Sequence, residues 1–117
     1  VEELDFSSCD LDDTKAKAMK EPLARFQALK KVNFCQGEKL SAEGWAMLLP
    51  ALSSTVEELD FSSCDLDDTK AKAMKEPLAR FQALKKVNFC QGEKLSAEGW
   101  AMLLPALSST VEELDFS

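Results

Sequence analysis

Residues 1–55 recur letter for letter as residues 56–110, and a third copy starts with Val111-Glu112-Glu113-Leu114-Asp115-Phe116-Ser117. No other feature constrains the fold as much. A unit repeated at a fixed period buries its apolar face against its neighbours in sequence rather than around one centre, so the chain reads as a stacked array. The identity carries a second implication. Copies under independent mutation diverge at solvent-facing positions, where most substitutions cost under ~0.5 kcal/mol, yet none of the 55 positions differs. The chain reads as an engineered or artificially duplicated sequence, whose architecture is more legible than any biological activity.

The 55-residue unit divides again. Val1-x-x-Leu4-x-Phe6-x-x-Cys9-x-Leu11 is echoed by Leu29-x-x-Val32-x-Phe34, with Leu40 arriving one residue later than the first half requires. Val1 to Leu29 is 28 residues and Leu29 to Val56 is 27. Each half holds a short segment with apolar residues at alternate places, a turn, and a helical stretch. The pattern L-x-x-L-x-L-x-x-N/C-x-L at a period of about 20–29 residues is that of a leucine-rich repeat. The helical half, Leu40-Ser41-Ala42-Glu43-Gly44-Trp45-Ala46-Met47-Leu48-Leu49-Pro50-Ala51-Leu52, resembles that of the long, alternating repeats of ribonuclease inhibitor and of nucleotide-binding innate-immune receptors. The resemblance implies an α/β solenoid with a parallel sheet on the concave face and helices on the convex face. Its expected units are 1–28, 29–55, 56–83 and 84–110, with a partial fifth strand at 111–117. The chain departs from the pattern at Phe6 and Phe34, where leucine is usual, and at Gly37, where Asn or Cys is usual.

In a strand, successive side chains point to opposite faces. Leu4, Phe6, Val32 and Phe34 are expected in the core, and Glu3, Asp5, Ser7, Lys31, Asn33 and Cys35 on the concave face, which the resemblance marks as the usual ligand surface. Parallel neighbours lie ~4.8 Å apart, so equivalent positions form ladders. One ladder reads Glu3, Lys31, Glu58, Lys86, Glu113, and the preceding one Glu2, Lys30, Glu57, Lys85, Glu112. The signs alternate at every step. Cross-strand pairs of opposite charge are favourable by ~0.2–1 kcal/mol each, so this face satisfies its own charges. A recognition surface more often clusters one sign or exposes aromatic anchors.

Asp12 or Asp13 is a candidate N-cap for a helix facing inward through Ala16, Met19, Leu23 and Phe26. Ser41 is the candidate cap of the second, with Trp45, Leu48, Leu49 and Leu52 inward. Pro22 and Pro50 lack an amide hydrogen and suit only the ends of these helices.

The composition of 45% apolar and 30% charged residues is that of a globular chain rather than a disordered one. The longest apolar run, Trp45 to Leu52, is far below the ~20 residues that span a bilayer, and no apolar leader opens the sequence. A net charge of −7 opposes sequence-independent binding to nucleic acid. No membrane and no nucleic acid partner is expected. The chain contains no histidine, so a Ser-His-Asp or Cys-His arrangement is impossible. Cys9, Cys35, Cys64 and Cys90 lie 26, 29 and 26 residues apart, which provides no C-x-x-C pair for zinc or redox work. Asp10, Asp12 and Asp13 resemble the start of a calcium loop, but its glycine and distal glutamate are absent, and helix capping explains them better. Glu38 and Glu43 read as solvated charge, and the glycines form no phosphate loop. No enzyme activity, metal or cofactor is expected.

Cys9 and Cys64 are expected buried and reduced. Equivalent cysteines two strands apart sit ~9.6 Å from each other, beyond the ~7 Å disulfide limit, so no intrachain disulfide is expected, in keeping with a soluble protein of a reducing, cytoplasmic compartment. Two functions of different class compete. One is an engineered structural scaffold that self-associates through uncapped ends, with residues 111–117 of one copy in the place of residues 1–7 of the next. The other is a protein-binding module whose concave face, with Glu3, Asp5, Lys31, Asn33, Cys35, Glu58, Asp60, Lys86, Asn88 and Cys90, takes a protein partner. Specific recognition requires side chains that differ along the solenoid, and here they do not.

Overall fold

The computed structural model describes residues 2–6, 11–34, 39–62, 64–89, 94–107 and 109–115. Short strands alternate with helices along the chain: β1 (Glu3–Asp5), α1 (Asp13–Leu23), β2 (Lys31–Asn33), α2 (Ala42–Leu48), β3 (Glu58–Asp60), α3 (Asp68–Leu78), β4 (Lys86–Asn88), α4 (Ala97–Leu103) and β5 (Glu113–Asp115). The five strands form one open parallel sheet in chain order. Each crossover carries one helix, and the helices pack side by side in the same sequence, α1 on α2, α2 on α3 and α3 on α4.

Register follows from the alternation. Leu4, Val32, Leu59, Val87 and Leu114 are partners across the sheet, as are Glu3, Lys31, Glu58, Lys86 and Glu113. A one-residue slip would turn every apolar residue to the solvent side. The ladder continues one residue beyond each strand, where Phe6 N–H donates to Asn33 O and Phe34 N–H to Asp60 O, both at 2.8 Å. That extension places the phenylalanines in a column. Phe6, Phe34, Phe61 and Phe89 stack with centroids 5.6, 5.9 and 5.7 Å apart. Trp45 meets Phe34 and Phe61 edge-on at 5.1 and 5.4 Å and is wholly buried. Val32, Phe34, Leu59 and Phe61 are buried as anticipated, whereas Leu4 and Phe6, on the first strand, are only partly so.

The caps resolve the choice between two aspartates. Asp12 is the N-cap of α1, its carboxylate accepting from Lys15 N–H at 2.9 Å, and Asp67 caps α3 in the same way through Lys70. Ser41 and Ser96 cap α2 and α4. Pro22 stands one residue before the end of α1, and Pro50 lies in the tight turn Leu49–Ala51 that follows α2. One expected element shifts. Phe26 belongs to no helix; α1 ends at Leu23, and a turn in which Phe26 N–H donates to Leu23 O swings the ring back onto the core. In the second copy the corresponding Phe81 is fully buried.

Cys64 is buried, its thiol 3.0 Å from Phe34 O, which it donates to across the repeat. Cys9, Cys35 and Cys90 lie outside the described residues, as do Ser7, Asp10, Gly37 and Glu38. Just after Cys64, Asp65 adopts a left-handed backbone with φ of 54°, a conformation that aspartate tolerates better than most residues. The Lys70 ammonium donates to the Asp65 carbonyl at 3.0 Å and to the Cys64 carbonyl at 3.5 Å, which fastens this turn to α3.

Candidate functional site

The side of the sheet away from the helices is built by the residues that alternate with the core. Glu3, Asp5, Lys31 and Lys86 are exposed there, while Asn33, Glu58, Asp60 and Asn88 are half-buried. The strands bring all eight into two rows. One row alternates acid and base from Glu3 to Glu113, and the other alternates aspartate and asparagine from Asp5 to Asp115. Cys35 and Cys90, the remaining candidates for this face, are outside the described residues.

Electrostatics on this face are local. Lys86 Nζ lies 3.5 Å from Glu113 Oε2, but both groups are well exposed, and an ion pair of this kind contributes at most about 1 kcal/mol. Asp60 turns back to accept from Ser62 N–H at 2.8 Å. Two hollows open on the face, one of ≈ 150 Å³ over Lys31, Glu58, Asp60, Lys86 and Asn88, the other of ≈ 180 Å³ over Glu3, Asp5, Lys31 and Asn33. Sites for drug-sized ligands usually enclose about 300–1,000 Å³ and are mainly apolar, so these hollows suit solvent or one side chain of a partner. Among the described residues no three His, Cys, Asp or Glu side chains gather as a metal centre, and no helix is long and apolar enough to cross a membrane. Among the described residues the face offers many weak polar contacts over a broad area and concentrates no reactive group.

The strongest polar constellation lies elsewhere, at the helix N-termini. Asp13 does not cap its own helix. It reaches 28 residues along the chain to accept from Ser41 N–H at 2.9 Å and from the Ser41 hydroxyl, and that hydroxyl in turn accepts from Gly44 N–H. Asp68, Ser96 and Gly99 repeat the relay. Each relay ties two neighbouring repeats. Beside the second one, Lys94 Nζ pairs with Asp65 Oδ1 at 2.7 Å. None of these links was read from the sequence, although the Asp12-Asp13 doublet and a glycine inside α2 were visible signals: two aspartates permit two acceptors, and the glycine makes room for one of them.

These bonds set the acid response. The Ser96 hydroxyl first, and then the Ser96 amide, hold the Asp68 carboxyl below the ordinary carboxylate range, and Lys94 does the same for Asp65. A depressed folded pKa means that the folded chain binds fewer protons than the unfolded one in the interval between the two values. The stabilisation is complete above the unfolded pKa and is lost as pH falls through the folded one. The urea midpoint should therefore begin to decline as pH falls through the ordinary aspartate value of about 4 and continue to decline below it. A variant carrying both Asp65→Asn and Asp68→Asn should show a shallower decline, and a slope equal to the parent's would overturn the assignment.

With the geometry in place, comparison with known proteins adds one finding. A family model described as Leucine Rich repeat matches residues 52–74, the stretch from just beyond the tight turn Leu49–Ala51 through β3 and into α3. No curated protein matches the chain. The match and the five-stranded parallel sheet with its row of helices together support a leucine-rich repeat protein.

Proposed function

We propose that the chain is an engineered structural repeat scaffold: a single solenoid of units 1–28, 29–55, 56–83 and 84–110 with a partial strand 111–117, without catalytic activity of its own and able to associate with further copies of itself. The leucine-rich repeat suggests a structural or protein-binding module. One observation favours the structural reading. The Glu–Lys row on the open face alternates in sign strand by strand, and both rows repeat without variation from residues 3–33 to residues 58–88. Specific partners are distinguished by placing different groups at different points, and a surface of period 55 offers the same groups twice.

The repeat match keeps protein binding as the second reading, with the face through Glu3, Asp5, Lys31, Asn33, Glu58, Asp60, Lys86 and Asn88 as the surface. Calorimetric titration with pancreatic ribonuclease, the partner type suggested by the resemblance, separates the two. The scaffold reading expects no saturable heat with protein at ~100 µM, a concentration that would reveal any dissociation constant of micromolar order. Saturable binding abolished by Lys31→Glu together with Lys86→Glu would establish the second reading in its place.

A further inference from the structure

Between the tight turn Leu49–Ala51 and β3 the chain carries three hydroxyls in a row, Ser53, Ser54 and Thr55. The outer two fasten this turn to the preceding crossover. Ser53 Oγ donates to Gln27 O at 3.2 Å and Thr55 Oγ1 to Leu29 O at 2.8 Å. The Ser54 hydroxyl is exposed and is bonded to none of the described residues. It opens on a hollow of ≈ 580 Å³ lined by Ser54, Thr55, Arg80, Gln82 and Ala83, and among these Arg80 alone is charged. Arg80 belongs to the next repeat and is held in place: its guanidinium donates to Pro50 O at 2.9 Å and keeps further N–H groups for another acceptor.

We propose that Ser54 is a phosphorylation site for an acid-directed protein kinase, and that Arg80 receives the phosphate across the hollow. This goes beyond the scaffold reading and does not rest on it. The recognition signal follows the acceptor, since Glu57 and Glu58 stand three and four residues on, with side chains that keep part of their surface in solvent. The structure then selects among the hydroxyls. Thr55 has Glu58 at the same spacing, but its hydroxyl is engaged on Leu29 O; Ser53 has the buried Val56 there. Ser62 is followed by Asp65, yet its amide donates to the Asp60 carboxylate at 2.8 Å, a charge that would repel a phosphate. In the transfer, Ser54 Oγ attacks the γ-phosphorus of a nucleoside triphosphate held by the kinase. The new O–P bond forms as the bond from that phosphorus to the bridging oxygen breaks, nucleoside diphosphate leaves, and the hydroxyl proton passes to the kinase's base. A free phosphate ion would gain little from one exposed arginine. A phosphate tied to Ser54 is already at the hollow, and this high local concentration favours the contact. It brings about −1.5 to −2 charges at pH 7 and acceptor oxygens that suit a planar guanidinium. Because Ser54 and Arg80 lie in neighbouring repeats, the modification straps one to the other.

Residues 109–113 repeat the sequence Ser54–Glu58, so the test uses Ser109→Ala protein, in which the phosphopeptide is unambiguous. The folded protein is incubated with a purified acid-directed serine/threonine kinase and Mg-ATP, and the site is mapped by mass spectrometry. One phosphate on Ser54 is expected. No phosphate, or phosphate on Thr55 or Ser62 in place of Ser54, overturns the acceptor. Urea denaturation of the modified and unmodified protein then tests the strap, with circular dichroism confirming that each variant is folded. Phosphorylation is expected to raise the folding equilibrium constant about fivefold at low salt, and by less at ~1 M salt, where charges are screened within about 3 Å. In Arg80→Gln the gain should vanish, because no cation then lines the hollow. The gain is measured within each protein, so the bond to Pro50 that this variant also loses does not enter it. A gain absent from the parent, or equal with and without Arg80, overturns the strap while the acceptor stands.

Discussion

Replacing Trp45 with alanine is expected to lower the stability of the dilute protein by about 3–5 kcal/mol, the range for truncating a large buried aromatic. The same replacement at Trp100 should cost less, about 2–4 kcal/mol, in proportion to the smaller area it keeps from water. Both tryptophans have the same neighbours in sequence and the same place in their helices. What differs is the next repeat. Trp45 stands edge-on between Phe34 and Phe61 and is 0% exposed, whereas the ring of Trp100 meets Phe89 and remains half-open. The pair thus measures how much of a tryptophan's contribution comes from the neighbour that follows it. Trp45→Phe should cost less than Trp45→Ala, about 1–2 kcal/mol. It loses part of the ring volume, but it also removes an indole N–H that is buried with no acceptor among the described residues. Urea denaturation at unchanged m-value provides the comparison. Equal losses at Trp45 and Trp100 would show that the neighbouring repeat is not what seals the ring.

The same comparison explains what the sequence could and could not reveal. The alternation in Val1-x-x-Leu4-x-Phe6 determines which side chains face the helices, and repeated strands in parallel must align equivalent positions. The order of the sheet, its register and the Glu–Lys row were therefore legible. Burial was legible only in part. Lys15 and Lys70 have identical surroundings in sequence, yet Lys15 is exposed and Lys70 is 9% exposed. No local pattern carries that difference, because it arises from the presence of residues 29–55 on one side of α3. Phe26 was misplaced for a different reason. Helical periodicity extends through it, but Pro22 removes a backbone donor near the end of α1 and the helix closes at Leu23. Glu3, Lys31, Glu58 and Lys86 fall in one row across the sheet, as the alternation in the strands requires. A ligand for it was not legible, since uniform, self-paired charge specifies none.

Gly44 leaves no room for a side chain against the preceding repeat, and substitution there should reveal the coupling between the two. A Cβ at Gly44 would lie 2.2 Å from Asp13 Oδ1 and 2.8 Å from Leu40 Cδ2. Taken alone, glycine to alanine inside a helix is favourable by up to about 1 kcal/mol. Here the methyl group must push aside the carboxylate that accepts from the Ser41 amide and hydroxyl. Hydrogen bonds to a charged group contribute about 1.5–3 kcal/mol each, so their loss outweighs the gain in helix propensity. Gly44→Ala is expected to destabilise by about 1–3 kcal/mol, with no compensating contact on this crowded side of α2. Asp13→Ala removes the obstacle as well as the bonds. In that background Gly44→Ala should cost little, with only the mobile end of Leu40 to displace, and the two changes should couple by at least ~1 kcal/mol. The second relay offers an internal repeat of the test, since a Cβ at Gly99 meets Asp68 Oδ1 at the same 2.2 Å. Strict additivity of Asp13→Ala and Gly44→Ala would mean that the carboxylate does not hold the helix N-termini together, and the relay would reduce to two independent surface contacts.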